Sequence, residues 1–470
     1  MSKEKESCPA KELKDKLFYS KKNIYHIIDD SEVKKIYDFS EDYKIFLDKS
    51  KTEREAVKFA VKAAEEKGFV EYKQGMELKP GTKIFRNNRG KALILAVIGS
   101  EPIENGVRIN AAHVDSPRLD LKQCPLYEDS ELALFKTHYY GGIKKYQWTS
   151  VPLALHGVVV LLDGTQVEVC IGEETTDPVF VISDLLPHLA SEQMKKNGSS
   201  IVTGEELNII IGSRPFKSDK ESELVKLNIL SILFEKYGIT EEDFLSAELE
   251  AVPAFRASDV GFDRSLIGSY GHDDRVCAYP ALRAILDTTR IPDKTTVTVL
   301  TDKEETGSDG NTGLNSSYLR YFIDDIANEY GKRGTTVLSN SECLSADVNA
   351  AFDPTFPSVM EKKNAAYLNY GVVVTKYTGS RGKSGTSDAS AEFVGRIRTM
   401  LNKNNVVWQT GELGKVDGGG GGTVAAYIAN LNVDVIDVGV PVLSMHAPYE
   451  IVAKTDVYMA YRAFRAFIED

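Results

Sequence analysis

Apolar residues recur along this chain with two different periods. From Thr52 the spacing is helical. Ala56, Val57, Ala60, Val61 and Ala64 share one face, Thr52 and Glu55 stand at capping-box spacing, and Gly68 closes the segment. Residues 91–99 (KALILAVIG) are instead a short, almost entirely apolar run, as in a strand buried on both faces, and residues 107–112 read as another strand. The first 50 residues read as helical and lysine-rich. After about residue 122 the texture changes. Short β-like runs at 132–138, 153–162 and 165–171 replace the helices, with Asp163-Gly164 as a hairpin signal between the last two. One helical stretch follows at about 222–237. From 295 onward strands (near 295–300, 341–346, 365–377, 405–409 and 433–438) alternate with helices (near 314–330, 387–403, 421–430 and 455–468). This alternation predicts an α/β fold, a mostly parallel sheet with helices on both faces. The domain would comprise residues 1–122 and 256–470, interrupted by an inserted β-rich domain at 123–255.

Composition narrows the field. A 42% apolar fraction over 470 residues supports a sizeable core. The net charge of -12 argues against non-specific nucleic-acid binding and against a basic membrane-surface role. No run of 18 apolar residues offers a membrane span, and the polar start MSKEKESCPAKELKDK lacks a hydrophobic signal core, so the expected location is cytoplasmic. The five cysteines (Cys8, Cys124, Cys170, Cys277, Cys343) form no CxxC, which suggests neither a disulfide framework nor a thiolate zinc site. A metal would be held by His and carboxylates, and only seven His are present.

Five segments place metal-competent side chains after a strand-like run or a tight turn. They hold His113 and Asp115 (AAHVDSPRLD), Asp273 and Asp274 (GHDDRVCAYPAL), Glu304 and Glu305 (TDKEETGSDG), Asp347 (LSADVNAAFD) and His446 (VLSMHAPYE). Each is weak alone; a bare Glu-Glu is more often a solvated loop. Together they supply two His and at least three carboxylates, a workable set for two zinc-like ions sharing one bridging carboxylate. Mixed N/O ligands suit Zn, Mn or Co equally. In an open α/β sheet such groups at strand ends lie where ligands bind. One of the two adjacent Glu would ligate while the other takes a proton from water. The run Gly418–Gly422 would either bind an anion through backbone N–H groups or allow close backbone approach.

Four of these segments, in order, resemble the aspartyl aminopeptidase (aminopeptidase I) family of co-catalytic zinc exopeptidases: HVDSPRLDLK, DKEETGS, SADVNAAFDP and SMHAPYE. The resemblance implies that His113, Asp273 and Asp347 hold one zinc and that Asp273, Glu305 and His446 hold the other. It makes Glu304 the general base, and Asp115 the group that orients His113 or the metal site. The substrates would be peptides cut at the N-terminus. The inserted domain would mediate dimers that build a homododecamer, and would lend a substrate-binding His to the neighbouring site; His188 lies near the matching segment, with Glu192 the alternative. Two segments depart from the family pattern. His272-Asp273-Asp274-Arg275 replaces Leu-Asp-Asn, leaving Asp274 as a second candidate for the bridge. Residues 408–424 (WQTGELGKVDGGGGGTV) replace a Cys-Gly-Ser-Thr run, which puts preference for N-terminal Asp or Glu in question. Arg381 and Lys383 would pair an acidic substrate side chain or simply sit in a solvated loop. His26, His138 and His156 read as structural, and His272, beside the bridge, as either a residue that supports a metal ligand or a packing residue. The alternatives are a metal-dependent amidase or deacylase on small amides, and a catalytically silent oligomeric scaffold.

Overall fold

The computed structural model describes residues 9–218 and 221–470; Cys8 lies outside them. A nine-stranded sheet forms the centre. Its order is Val70–Glu71, Lys83–Asn88, Ala92–Val97, Thr296–Thr301, Arg108–His113, Glu342–Ser345, Asp434–Gly439, Val372–Thr375 and Trp408–Thr410. The middle four strands, Thr296–Thr301 to Asp434–Gly439, run parallel. Antiparallel pairing enters only where Ala92–Val97 meets both its neighbours and where Val372–Thr375 meets Asp434–Gly439.

Period-2 alternation with both faces buried explains the continuously apolar strands. Leu93, Leu95 and Val97 enter one core while Ile94 and Ala96 enter the other. The first core is closed by the helices Asp30–Lys49, Glu53–Glu66, His272–Leu286, Ala391–Lys403 and Lys454–Glu469, the second by Tyr318–Glu329, Gly334–Ser339 and Ala425–Ala429. Thr52 and Glu55 form the expected capping box.

A second, six-stranded sheet is drawn from Arg118–Asp129, Leu132–Tyr140, Leu153–Val160, Gln166–Ile171, Ile209–Gly212 and Ala247–Pro253, with its own core around Trp148, Leu153 and Val252. Its first strand starts only five positions beyond His113, the end of a central strand of the large sheet. Arg118 is buried at this junction. Its guanidinium lies 4.0 Å from the Tyr140 ring centre and pairs with Asp120 at 2.8 Å, Glu250 at 3.1 Å and Glu53 at 3.5 Å. It thereby ties the Glu53–Glu66 helix to the second sheet.

The expected helix at 421–430 shortens to Ala425–Ala429. Two of the preceding glycines allow close backbone approach. A Cβ on Gly419 would lie 2.0 Å from the Leu413 carbonyl oxygen, and one on Gly420, at φ +125°, 1.9 Å from that of Gly379. The helix His272–Leu286 was not apparent from periodicity, since Asp273 and Asp274 have non-helical backbone angles and Pro280 interrupts the pattern.

Candidate active site

Parallel register brings the chemistry together. His113 ends its strand opposite Thr301, and Ala111 of that strand pairs with Ser345, so the turns carrying Glu304-Glu305 and Asp347 emerge on either side of His113. Asp273 comes from the start of the His272–Leu286 helix, and His446 from a turn held by Glu450. Lys303 and His446 adopt left-handed backbone angles (φ +67° and +64°), which persist because surrounding contacts fix both turns.

Asp273 occupies the centre. Its Oδ1 is 3.2 Å from His113 Nε2 and its Oδ2 is 3.1 Å from His446 Nε2. Glu305 Oε1 lies 3.5 Å from His446 Nε2, and Glu304 Oε2 lies 3.9 Å from His113 Nε2. Both imidazoles are oriented the same way. His113 Nδ1 faces the Asp115 carbonyl at 3.0 Å, and His446 Nδ1 faces that of Gly142 at 2.8 Å, so each ring turns Nε2 inward. Asp115 also accepts the backbone N–H groups of Glu304 and Glu305, both at 3.2 Å, and the Tyr140 hydroxyl at 2.8 Å. Asp274 accepts the backbone N–H of His113 at 3.2 Å. Its side chain also lies within ligand distance of His113 and Asp347. Ser116 donates to the Asp273 carbonyl at 2.6 Å and receives Arg275 at 2.9 Å.

The electrostatics describe an anionic hollow. Burial, reinforced by Asp273 and opposed by His113, pushes Glu304 up to about 7. Burial and neighbouring carboxylates push Glu305 and Asp347 well above the ordinary range, and burial does the same to Asp274. Burial also works against Asp273, yet hydrogen bonding to the two His holds it below that range. His446 rises to about 10 because Asp273 and Glu305 outweigh its burial. His113 Nε2, Glu305 Oε1, Asp347 Oδ2 and Asp274 Oδ1 are buried without a hydrogen-bonding partner among the described residues. Inward-facing imidazole nitrogens and unsatisfied carboxylate oxygens fall in three overlapping clusters within ligand distance (His113, Glu304 and Glu305; His113, Asp274 and Asp347; Asp273, Glu305 and His446), which fit divalent cations. A dication here would reverse the upward shifts by stabilising the carboxylates.

The sequence profile described as "Aminopeptidase I zinc metalloprotease (M18)" matches residues 46–468. The chain belongs to the M18 aminopeptidase family. A probable M18 family aminopeptidase 1 of Clostridium acetobutylicum is 52% identical over 457 residues, 96% of this chain and 98% of that one. The crystal structure of the M18 aminopeptidase of Thermotoga maritima superposes with a TM-score of 0.92 at 46% identity, covering 96% of this chain and 100% of that one. The mApe1 dodecamer of the yeast S. cerevisiae shares the fold, with a TM-score of 0.74 at 21% identity over 92% of this chain and 96% of that one. This M18 protein is therefore a metalloaminopeptidase with zinc as the family's metal.

The structure gathers His113, Asp115, Asp273, Asp274, Glu304, Glu305, Asp347 and His446. It leaves His188 exposed and away from the cavity beside the cluster. Lys383 is likewise occupied elsewhere, bonded to Asp388 at 2.9 Å over the Tyr377 ring. His272 packs in the core between the Tyr43 hydroxyl and the Ile267 carbonyl, where burial lowers it to about 3.

Three contributors went unread in the sequence: Tyr140 and Gly142, from the second sheet and the loop after it, and Glu450. Buried Glu450 accepts the backbone N–H of His446 at 2.7 Å and of Asp273 at 3.1 Å, fixing two turns at once. Its only sequence signal is its place four residues after His446. Glu450→Gln sets an amide N–H₂ against one of those N–H groups. It is expected to weaken metal binding about 10–100-fold, read by competition against a chromophoric chelator; unchanged affinity would show that neither turn needs the carboxylate.

Proposed function

We propose that this M18 aminopeptidase holds two divalent ions per chain. His113, Asp273 and Asp347 serve one, and Asp273, Glu305 and His446 the other. The observation that carries this reading is the placement of Asp273, with one carboxylate oxygen towards each imidazole. When bound, such ions act as Lewis acids and lower the pKa of water. Glu304 is the base that takes the proton of the attacking water and returns it to the departing amine. Asp115 positions His113 and the Glu304-Glu305 turn. The family's zinc fits, and Mn or Co would suit the same N/O ligands. Asp274, bonded to the His113 backbone, is a positioning residue in this reading.

The substrates are peptides with free N-termini. A cavity of about 360 Å³ beside the cluster is lined by Val348, Thr378, Leu413, Met445 and Gly420–Gly422, with no Lys or Arg among its lining residues. We infer a preference for neutral N-terminal side chains. A peptide panel varied only at its first residue tests both readings. Free N-termini should be cleaved and acetylated ones spared. Asp or Glu should trail Leu or Met by at least about tenfold, because burying an unpaired carboxylate costs more than the 1.4 kcal/mol that a factor of ten represents. Equal cleavage of acetylated peptides would favour the amidase alternative, and acid-first cleavage would overturn the specificity.

We further propose that residues 123–255 form an inserted dimerisation domain and that dimers assemble into a homododecamer. Support comes from exposed Leu185, Leu186, Leu189 and Met194 around His188, and from the yeast dodecamer. His188 would then reach the site of a neighbouring subunit. Sedimentation reads the subunit count directly; a monomer would end this proposal. No helix among the described residues is long and apolar enough to cross a membrane, and Cys124, Cys170, Cys277 and Cys343 are free. The free cysteines support a cytoplasmic enzyme, and the net charge of -12 supports one that does not bind nucleic acid non-specifically.

A further inference from the structure

No cysteine spacing in the sequence suggests a thiolate metal site, but strand pairing creates a candidate. His156 and Cys170 are direct cross-strand neighbours on Leu153–Val160 and Gln166–Ile171, so their side chains leave the same face of the second sheet. Glu55 approaches from the first turn of the Glu53–Glu66 helix. Ligand atoms of the three residues lie within 4.8 Å of one another, the only such set among the described residues that contains a thiol.

The surroundings also match a metal site. Glu55 Oε2 is engaged by the N–H groups of Lys51 and Thr52, which leaves Oε1 2.7 Å from His156 Nδ1. On the other side of the ring, Nε2 faces Glu173 Oε1 at 3.0 Å, and Lys51 Nζ holds that same oxygen at 2.6 Å. A carboxylate behind one ring nitrogen and ligand-type donors in front of the other is how metal-binding imidazoles are oriented. His156 is buried, whereas Cys170 is free and exposed. A cavity of about 670 Å³, between the Glu53–Glu66 helix and the edge of the second sheet, is lined by Glu55 and Cys170 together with Lys62 and with Lys58 and Arg54, which are paired with Glu168 and Glu248 respectively.

We propose that His156 Nδ1, Cys170 Sγ and Glu55 Oε1 form a separate divalent-cation site whose fourth position opens on this cavity. Thiolate, imidazole and carboxylate select a borderline-soft ion such as zinc over magnesium or calcium. The thiolate and the carboxylate balance its two charges. The thiol proton, and any proton on Nδ1, pass to solvent on binding. Ordinary zinc bond lengths require the Glu55–His156 contact to open by under about 1 Å. Occupancy would staple the second sheet to the Glu53–Glu66 helix.

The active-site cluster contains no sulfur ligand, which makes the site separately observable. The full-length protein, freed of bound metal with a chelator, is titrated with Cd²⁺ or Co²⁺ while the thiolate-to-metal charge-transfer absorption is followed. One equivalent of this band is expected. Cys170→Ser should abolish it, Cys124→Ser should retain it, and Glu55→Gln, which keeps a capping side chain, should weaken binding at least tenfold. Thermal melting without added metal confirms that each variant is folded. No band in the native chain, or a band that survives Cys170→Ser, would overturn the proposal. So would unchanged affinity in Glu55→Gln, which would leave only a lone exposed thiol.

Discussion

Glu304→Gln is expected to lower kcat by about 10²–10⁴-fold with metal content unchanged. The two adjacent glutamates differ in setting. Both line the cavity, but the Glu305 side chain is 3% exposed and lies against His446, whereas that of Glu304 is 19% exposed. On the proposed assignment, the more exposed Glu304 would meet water and a leaving amine while Glu305 serves as a ligand. Glutamine preserves the shape, and the backbone N–H of residue 304 still reaches Asp115, so the turn should hold. What disappears is the proton acceptor. Steady-state kinetics alongside metal analysis separates the possibilities. A variant keeping more than a tenth of the native rate would remove Glu304 from the base role, and one that loses metal would make it a ligand.

Asp273→Ala is expected to bring metal content below one ion per chain and activity down to that of chelator-treated enzyme. The two carboxylate oxygens of Asp273 lie 3.2 Å from His113 Nε2 and 3.1 Å from His446 Nε2. On the proposed two-ion reading, removing this side chain would withdraw a ligand from both ions and leave Glu304, Glu305, Asp347 and Asp274 crowded together with less to hold a cation between them. Asp274→Asn is the comparison. It keeps an oxygen for the His113 N–H and should retain both ions. If metal analysis finds two ions in Asp273→Ala and fewer in Asp274→Asn, the bridge belongs to Asp274.

Much of this site was legible because each contributing stretch is local: an apolar strand, then one or two ligand-type residues. The parallel centre of the sheet turns those separate stretches into neighbours, as the pairing of His113 with Thr301 illustrates. Sequence left Asp273 and Asp274 open, since adjacent identical residues differ only in where their oxygens point. Tyr140, Gly142 and Glu450 were silent because their roles arise from closure of the second sheet and of the 446–450 turn upon the first, with no local periodicity. In the glycine run, the 413 and 379 carbonyls account for Gly419 and Gly420, contacts that no local pattern announces. The pairing of His156 with Cys170 likewise belongs to strand register, which spacing along the chain cannot supply.

The strand ends that meet at this site lie far apart along the chain, with His113 paired to Thr301 across the whole second sheet and His446 arriving last. An unfolded or nicked chain has no way to gather those groups, so ions held there bind the native state alone. Such binding adds stability by mass action, about 4 kcal/mol for an ion present at a thousand times its dissociation constant. Zinc supply would then govern the lifetime of the enzyme as well as its rate. A cell starved of zinc would degrade the protein faster, and abundance and activity would fall together.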